Sequence, residues 1–253
     1  MHGKLTDEIK LNILNARVLT ELEDIYRPYK QKKRTRATIG KEKGLEPLAI
    51  YILKQNRNDT NIDDICSKYI NDDVKTTEEA LSYASDIIAE DISDNAEYRK
   101  QIRRISYMTG KLVTVATKID EKSTYDMYYN FSENINRIPS HRLLAINRGE
   151  KEEFLKVKLE VNEEDIIKYL NSVILKGESI YKNILIDTIS DSYKRLIKPS
   201  IEREIRSDKF EEASDIAINV FGINVKNLFL GAPLKDMTIM GFDPAYRTGC
   251  KIA

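Results

Sequence analysis

The side chains with the most evident chemistry are the cations of residues 27–43. Arg27, Lys30, Lys32, Lys33, Arg34, Arg36, Lys41 and Lys43 are opposed within that stretch by Glu42 alone. Cations this dense can reach several phosphates of one polyanion, and Tyr26 and Tyr29 beside them can stack on an unpaired base. The same residues admit two other uses: pairing with the acidic block at 59–97, or a solvated face. His141 and Arg142 form a second candidate. They follow Pro139 and Ser140 at a helix start, where free backbone amides either help to hold a phosphate or are capped and packed. Asp243 is a third, an acid at the end of an apolar strand and before Pro244. A plain turn aspartate has the same local look. The chain has no Gly-rich phosphate loop, no His-Glu-x-x-His, no zinc-ligand spacing and no nucleophile elbow, so neither a metal nor a cofactor is expected.

These groups sit in a chain of 253 residues with 41 Lys and Arg against 41 Asp and Glu, a formal net charge of zero. Attraction to nucleic acid must therefore come from local patches. Cys66 and Cys250 lie far apart, which fits a reducing cytosol rather than a disulfide framework. No apolar run approaches the roughly 18–20 residues needed to span a bilayer, so a cytoplasmic protein without a membrane partner is expected.

Helical periodicity dominates, and proline and glycine are scarce. Thr6 predicts a helix start, with Ile9, Ile13, Leu14, Leu19, Leu22 and Ile25 as one stripe down to Tyr26. Pro28 ends or bends that helix. Gly44 reads as a helix stop and Pro47 as the next first turn. Asn61, Thr77, Asp94 or Asn95, and Asn162 mark further starts. Residues 111–117 are β-branched but continue the preceding pattern, and helix extension is expected. Residues 119–137 read as a loop with a short helix. Alternation over Phe154–Val161 predicts a strand. Pro199 is expected to open a long helix whose apolar residues, from Ile201 and Ile205 through Val220 and Phe221 to Leu228 and Phe229, point inward. Met237–Asp243 and Thr248–Ala253 read as two strands.

Several motifs resemble one family, in family order. The run Glu21-Leu-Glu-Asp-Ile-Tyr-Arg-Pro-Tyr-Lys-Gln-Lys-Lys-Arg-Thr-Arg-Ala37 is similar to the Leu-Glu-Asp-Leu-Tyr-x-Pro-Tyr-Lys-x-Lys-Arg-Arg-Thr-Arg-Ala of the bacterial Tex transcription accessory proteins. Pro139-Ser-His-Arg-Leu-Leu-Ala145, followed by Arg148-Gly149, resembles their Pro-Ser-His-Arg-x-Leu-Ala and Arg-Gly. Met240-Gly-Phe-Asp-Pro-Ala-Tyr-Arg-Thr-Gly-Cys-Lys-Ile-Ala253 resembles their Leu-Gly-Leu-Asp-Pro-Gly-x-Arg-Thr-Gly-x-Lys-x-Ala, although Ala245 replaces the usual glycine.

The resemblance implies a mainly α fold: a multi-helical scaffold over 1–235, with one short β element near 154–161. A C-terminal β-hairpin over 236–253 would begin a truncated ribonuclease H-like (YqgF) domain. The implied function is a non-enzymatic scaffold region of a bacterial nucleic-acid-binding transcription accessory protein, with RNA or DNA as partner of the full-length protein. The alternatives are the N-terminal part of a Mg-dependent nuclease, or a platform for the transcription machinery using the acidic helices. Nucleases of that fold hold two metal ions with several carboxylates, and Asp243 would be only the first. The family's S1 domain is missing, so binding by this segment alone is expected to be weak. Arg27, Lys30, Lys32, Lys33, Arg34, Arg36, His141 and Arg142 are the expected contacts.

Overall fold

The computed structural model describes residues 6–30, 33–117, 122–232, 235–245, 247 and 249–253. Two compact units divide between Ala213 and Ser214. The first unit is helical around one small sheet.

At its start Thr6 caps α1 (Asp7–Asn15), its side chain accepting from the Ile9 amide. The expected single stripe to Tyr26 is broken. Ala16 is extended (ψ 126°), and α2 (Leu19–Tyr26) begins afresh. Leu14 and Leu19 are exposed, and the buried residue of α2 is Asp24. A short 3₁₀ turn, Arg27–Tyr29, absorbs Pro28. Thr35 and Thr38 then form a reciprocal cap on α3 (Arg36–Glu42). Gly44 takes φ +81°, a conformation a side chain disfavours, and lets the chain turn into α4 (Glu46–Lys54).

Several elements pack on α6 (Thr77–Asp94), chief among them α3, α4, α5 (Ile62–Cys66), α10 (Lys182–Asp191) and the wide turn that follows α10. Ala80, Ala84 and Ala89 keep its surface low, and Ile87, Ile88 and Ile92 fill the gaps. Small residues permit the close approach of α3. A Cβ on Gly40 would stand 3.1 Å from the Tyr83 carbonyl oxygen and from Ile87 Cδ1. Asn95 caps α7 (Ala96–Thr109).

Residues 111–116 are not a helix extension but β1 (Lys111–Ala116), a correction with two causes. Gly110 turns the chain where any Cβ would lie 2.3 Å from the Ser106 carbonyl oxygen. Strands on both sides then supply a ladder that local periodicity cannot reveal. One is β2 (Asn130–Asn134), within the region expected to be a loop with a short helix. A 3₁₀ turn, Asp126–Tyr128, is the helical part of that expectation, and residues 118–121 lie outside the described set. The other is β3 (Leu155–Glu160), where a strand was expected, with Leu155, Val157 and Leu159 buried. The sheet is antiparallel in the order β2-β1-β3, with Thr114 opposite Phe131 and Val157. The β content of the first unit is thus a three-stranded sheet rather than one short element near 154–161.

Beyond the sheet elements, α8 (Ser140–Lys151) packs on β3, and α9 (Glu163–Ile174) is capped by Asn162. A wide π-type turn, Ser192–Ile197, joins α10 to α11 (Lys198–Phe229), the long helix expected from Pro199, which stands in its first turn directly after the wide one. A proline lacks the amide for the regular ladder, and a widened turn before it relocates the bonds. Over Ile201, Ile205 and Ala213 the apolar stripe is buried as expected.

The second unit contains the rest of α11 and the pair β4 (Phe242–Asp243) and β5 (Lys251–Ile252). The inward orientation expected here is corrected. Val220, Phe221, Leu228 and Phe229 are exposed, Phe229 at 82 %, because no described residue of this unit covers them. Phe242 pairs with Ile252 and Asp243 with Lys251, a hairpin shorter than the two expected strands.

Candidate nucleic-acid interface

The chain Glu23-Asp24-Ile25-Tyr26-Arg27 divides charge between interior and surface. Asp24, 5 % exposed, accepts from Arg99 Nε and, at 2.6 Å, from Arg103 Nη2. Glu204 on α11 completes the set, accepting from Arg103, while Arg99 also donates to Ser200 Oγ at 3.1 Å. Two arginines and two carboxylates thus join α2, α7 and α11. Burial opposes the charge on Arg103, but its hydrogen bonds to Glu204 and Asp24 outweigh that and raise its pKa.

Downstream, the basic segment meets the acidic face of α6. Arg27 Nε donates to Asp94 at 3.1 Å, and Lys41 lies 3.6 Å from Asp91. Burial holds the Asp91 carboxyl above the ordinary aspartate value, against the pull of Lys41. Lys43 donates to the Tyr83 hydroxyl at 2.8 Å and to the Asp73 carbonyl at 2.9 Å, with Glu79 at 3.5 Å. The bond to Tyr83 is the main reason its pKa is raised.

Lys30, Lys33, Arg34 and Arg36 are exposed, with Arg34 making a loose 3.5 Å pair with Glu42 and Lys30 lining a cleft with Glu90 and Asp91 of α6. Lys32 lies outside the described residues. Tyr26 and Tyr29 are also exposed, at 49 % and 40 %. Exposed cations beside exposed aromatic rings suit a nucleic-acid backbone and its bases.

His141 and Arg142 are on a different support, the first turn of α8. His141 is exposed, and Arg142 Nη1 donates to Glu133 of β2 at 2.9 Å. No side chain caps this helix, and the Arg142 amide donates to the Pro139 carbonyl at 3.0 Å. In the second unit Asp243 is exposed on β4. Among the described residues no three His, Cys, Asp or Glu side chains gather as a metal site requires. None of the described helices is long and apolar enough to cross a membrane.

Sequence reasoning missed the Asp24 network. One signal pointed to it: Arg99 falls in phase with Ile102 and Ser106, the inner stripe of α7.

Residues 58–221 match the family model described as Tex central region-like. The chain is 48% identical over 99% of its length to an uncharacterized protein, YdcI, of Bacillus subtilis, and covers 36% of that protein. It is 33% identical over 99% of its length to Protein tex of Bordetella pertussis, covering 34% of it. To the S1 RNA-binding domain-containing protein 1 of Homo sapiens it is 30% identical over 99% of its length, covering 27%. The chain thus spans about a third of the length of the curated relatives it matches. With the motifs at 21–37, 139–149 and 240–253 in order along it, the chain belongs to the Tex family.

Proposed function

We propose that this chain is the helical scaffold region of a nucleic-acid-binding transcription accessory protein, and that the exit from α2 assists binding. The observation that carries the reading is the division of one motif. Asp24 and Arg27 are engaged by the fold, whereas Lys30, Lys33, Arg34 and Arg36 are exposed beside Tyr26 and Tyr29. The name of the human relative, with its S1 RNA-binding domain, supports RNA as the first partner to try. Lys32, His141 and Arg142 belong to the proposed contacts as well. The protein works in the cytoplasm, alongside the transcription machinery.

Residues 1–235 form the scaffold in this reading, and 236–253 are the first strands of a ribonuclease H-like domain. The role is non-enzymatic. Reversing Lys30, Lys33, Arg34 and Arg36 to Glu tests the binding part, with RNA and DNA affinity measured against salt. Weaker binding and a shallower salt slope are expected, by about 0.7–0.9 for each phosphate that is no longer neutralised; unchanged binding rejects the role. Mg²⁺-dependent cleavage by the full-length protein, abolished by Asp243→Asn, would reject the non-enzymatic part.

A further inference from the structure

Along one flank of α6 stand Glu79, Asp86, Glu90, Asp91 and Asp94. At about 100° and 1.5 Å per residue, they fall within roughly 140° of arc and about 22 Å of length. The basic segment passes this flank in the opposite sense, with Lys43 at Glu79 and Arg27 at Asp94. Between those ends Lys41 lies 3.6 Å from Asp91. Lys30 and Lys41 share a cleft of about 530 Å³ with Glu90, Asp91 and Asp94. Burial raises the pKa of Asp86, and Arg195 and Arg36 pull it back. The carboxylates of α6 thus stand against the cations of the exit segment as the phosphates of a bound strand would.

We propose that this acidic flank is a built-in competitor, an internal polyanion that occupies cations of the exit segment and holds down its affinity for nucleic acid. The pairs are made to exchange rather than to fasten. Lys41 and Asp91 keep side chains 36 % and 49 % exposed, whereas Asp24 and Arg99 are sealed. Exposed pairs are screened and worth little, so a phosphate can replace such a carboxylate at small cost. The inference rests on the nucleic-acid reading above and adds how that site is regulated.

The test measures fluorescence anisotropy of labelled fifteen-nucleotide oligo(U) across a salt series. The proteins are the unaltered chain, E90Q/D91N, K30A/K41A, the four together, and K33E/R34E/R36E. E90Q/D91N is expected to strengthen binding at 0.1 M salt by about fivefold for each cation that gains a phosphate, and to steepen the salt slope by roughly 0.7 for each. In the K30A/K41A background the same two substitutions are expected to change affinity less than about twofold, because the cations they release are gone. Each amide is nearly isosteric with its acid. Should the pair lower the melting temperature, D91N alone carries the test. A chain that binds only after the acids are neutralised supports the inference. Affinity unchanged by neutralisation overturns it, as does a gain that persists without Lys30 and Lys41. If K33E/R34E/R36E weakens binding while E90Q/D91N leaves it unchanged, the competitor is rejected and the nucleic-acid reading stands. If neither the unaltered chain nor E90Q/D91N binds, both fall.

Discussion

Asp24 and Arg34 lie ten positions apart in one motif, yet their surroundings make opposite use of charge. Asp24 is sealed between two arginines, one of them 2 % exposed. Arg34 has a side chain 73 % exposed and a carboxylate at 3.5 Å. A buried pair is expensive to form and more expensive to break, because removing one member leaves the other charged without water. An exposed pair is screened and easily exchanged. The difference teaches that half of the motif is a fastening within the fold, while the other half stays exposed.

The sharpest way to break this comparison is Asp24→Ala. It leaves Arg99 and Arg103 short of a carboxylate, and about 3–5 kcal/mol should be lost. In a unit of this size that lowers the melting temperature by roughly 10 °C, readable by circular dichroism. A loss below about 1 kcal/mol would show that the network is not a fastening. Arg27→Ala should fall between the extremes, since Arg27 is half-buried against Asp94. About 1 kcal/mol is expected from denaturant unfolding. The Lys30, Lys33, Arg34 and Arg36 reversals, made one at a time, should each change stability by no more than about 0.5 kcal/mol. A larger loss would move that run to the fastening side.

The smallest effect is one of pH. Burial raises the pKa of Asp91, and of Asp86 on the same helix, so the folded state binds a proton more readily than the unfolded chain. Their contribution to stability therefore rises as pH falls through their raised values toward the ordinary 3.8. Asp91→Asn should remove that part of the slope and be neutral or mildly stabilising near pH 7. Melting curves across the acid range check this. A variant that keeps the wild-type slope would exclude Asp91 as its source. Glu79 works in the opposite sense. The Lys75 amide and then Lys43 lower its pKa, so its contribution is present above its ordinary value of 4.5 and disappears as pH falls through the lowered one.

What was legible in the sequence was local. Thr6, Asn61, Asn95 and Asn162 cap helices because a side-chain oxygen satisfies an amide two or three residues on. The β3 alternation could be read because Leu155, Val157 and Leu159 form one face by themselves. By contrast, β1 becomes a strand through β2 and β3, partners that its own periodicity does not reveal. Asp24 was illegible for a similar reason. Among acids and cations it reads as surface, and its partner Arg99 is 75 positions away. The exposed cations were visible as charge, but their division from Arg27, Lys41 and Lys43 appears only when α6 is in place.

Buried residues recur every fourth position through α10, the wide turn and α11: Leu185, Ile189, Tyr193, Ile197, Ile201, Ile205, Lys209 and Ala213. An α-helix advances about 100° per residue, so each step of four overshoots a full circle by about 40°. Seven steps would carry the stripe about 280° around the axis, less what the wider turn takes back. This long rod is therefore a slow screw whose contact line migrates as it passes its neighbours. At Ser192 it meets the Ala89 carbonyl of α6, and at Ser200 it meets Arg99 of α7. By Glu202 it accepts from the Leu159 amide, and Arg206 then pairs with Glu150 of α8. Inserting or deleting one residue in the wide turn would rotate every later side chain by about 100°. The turn thus sets the angular phase at which Arg203 and Phe210 face α8.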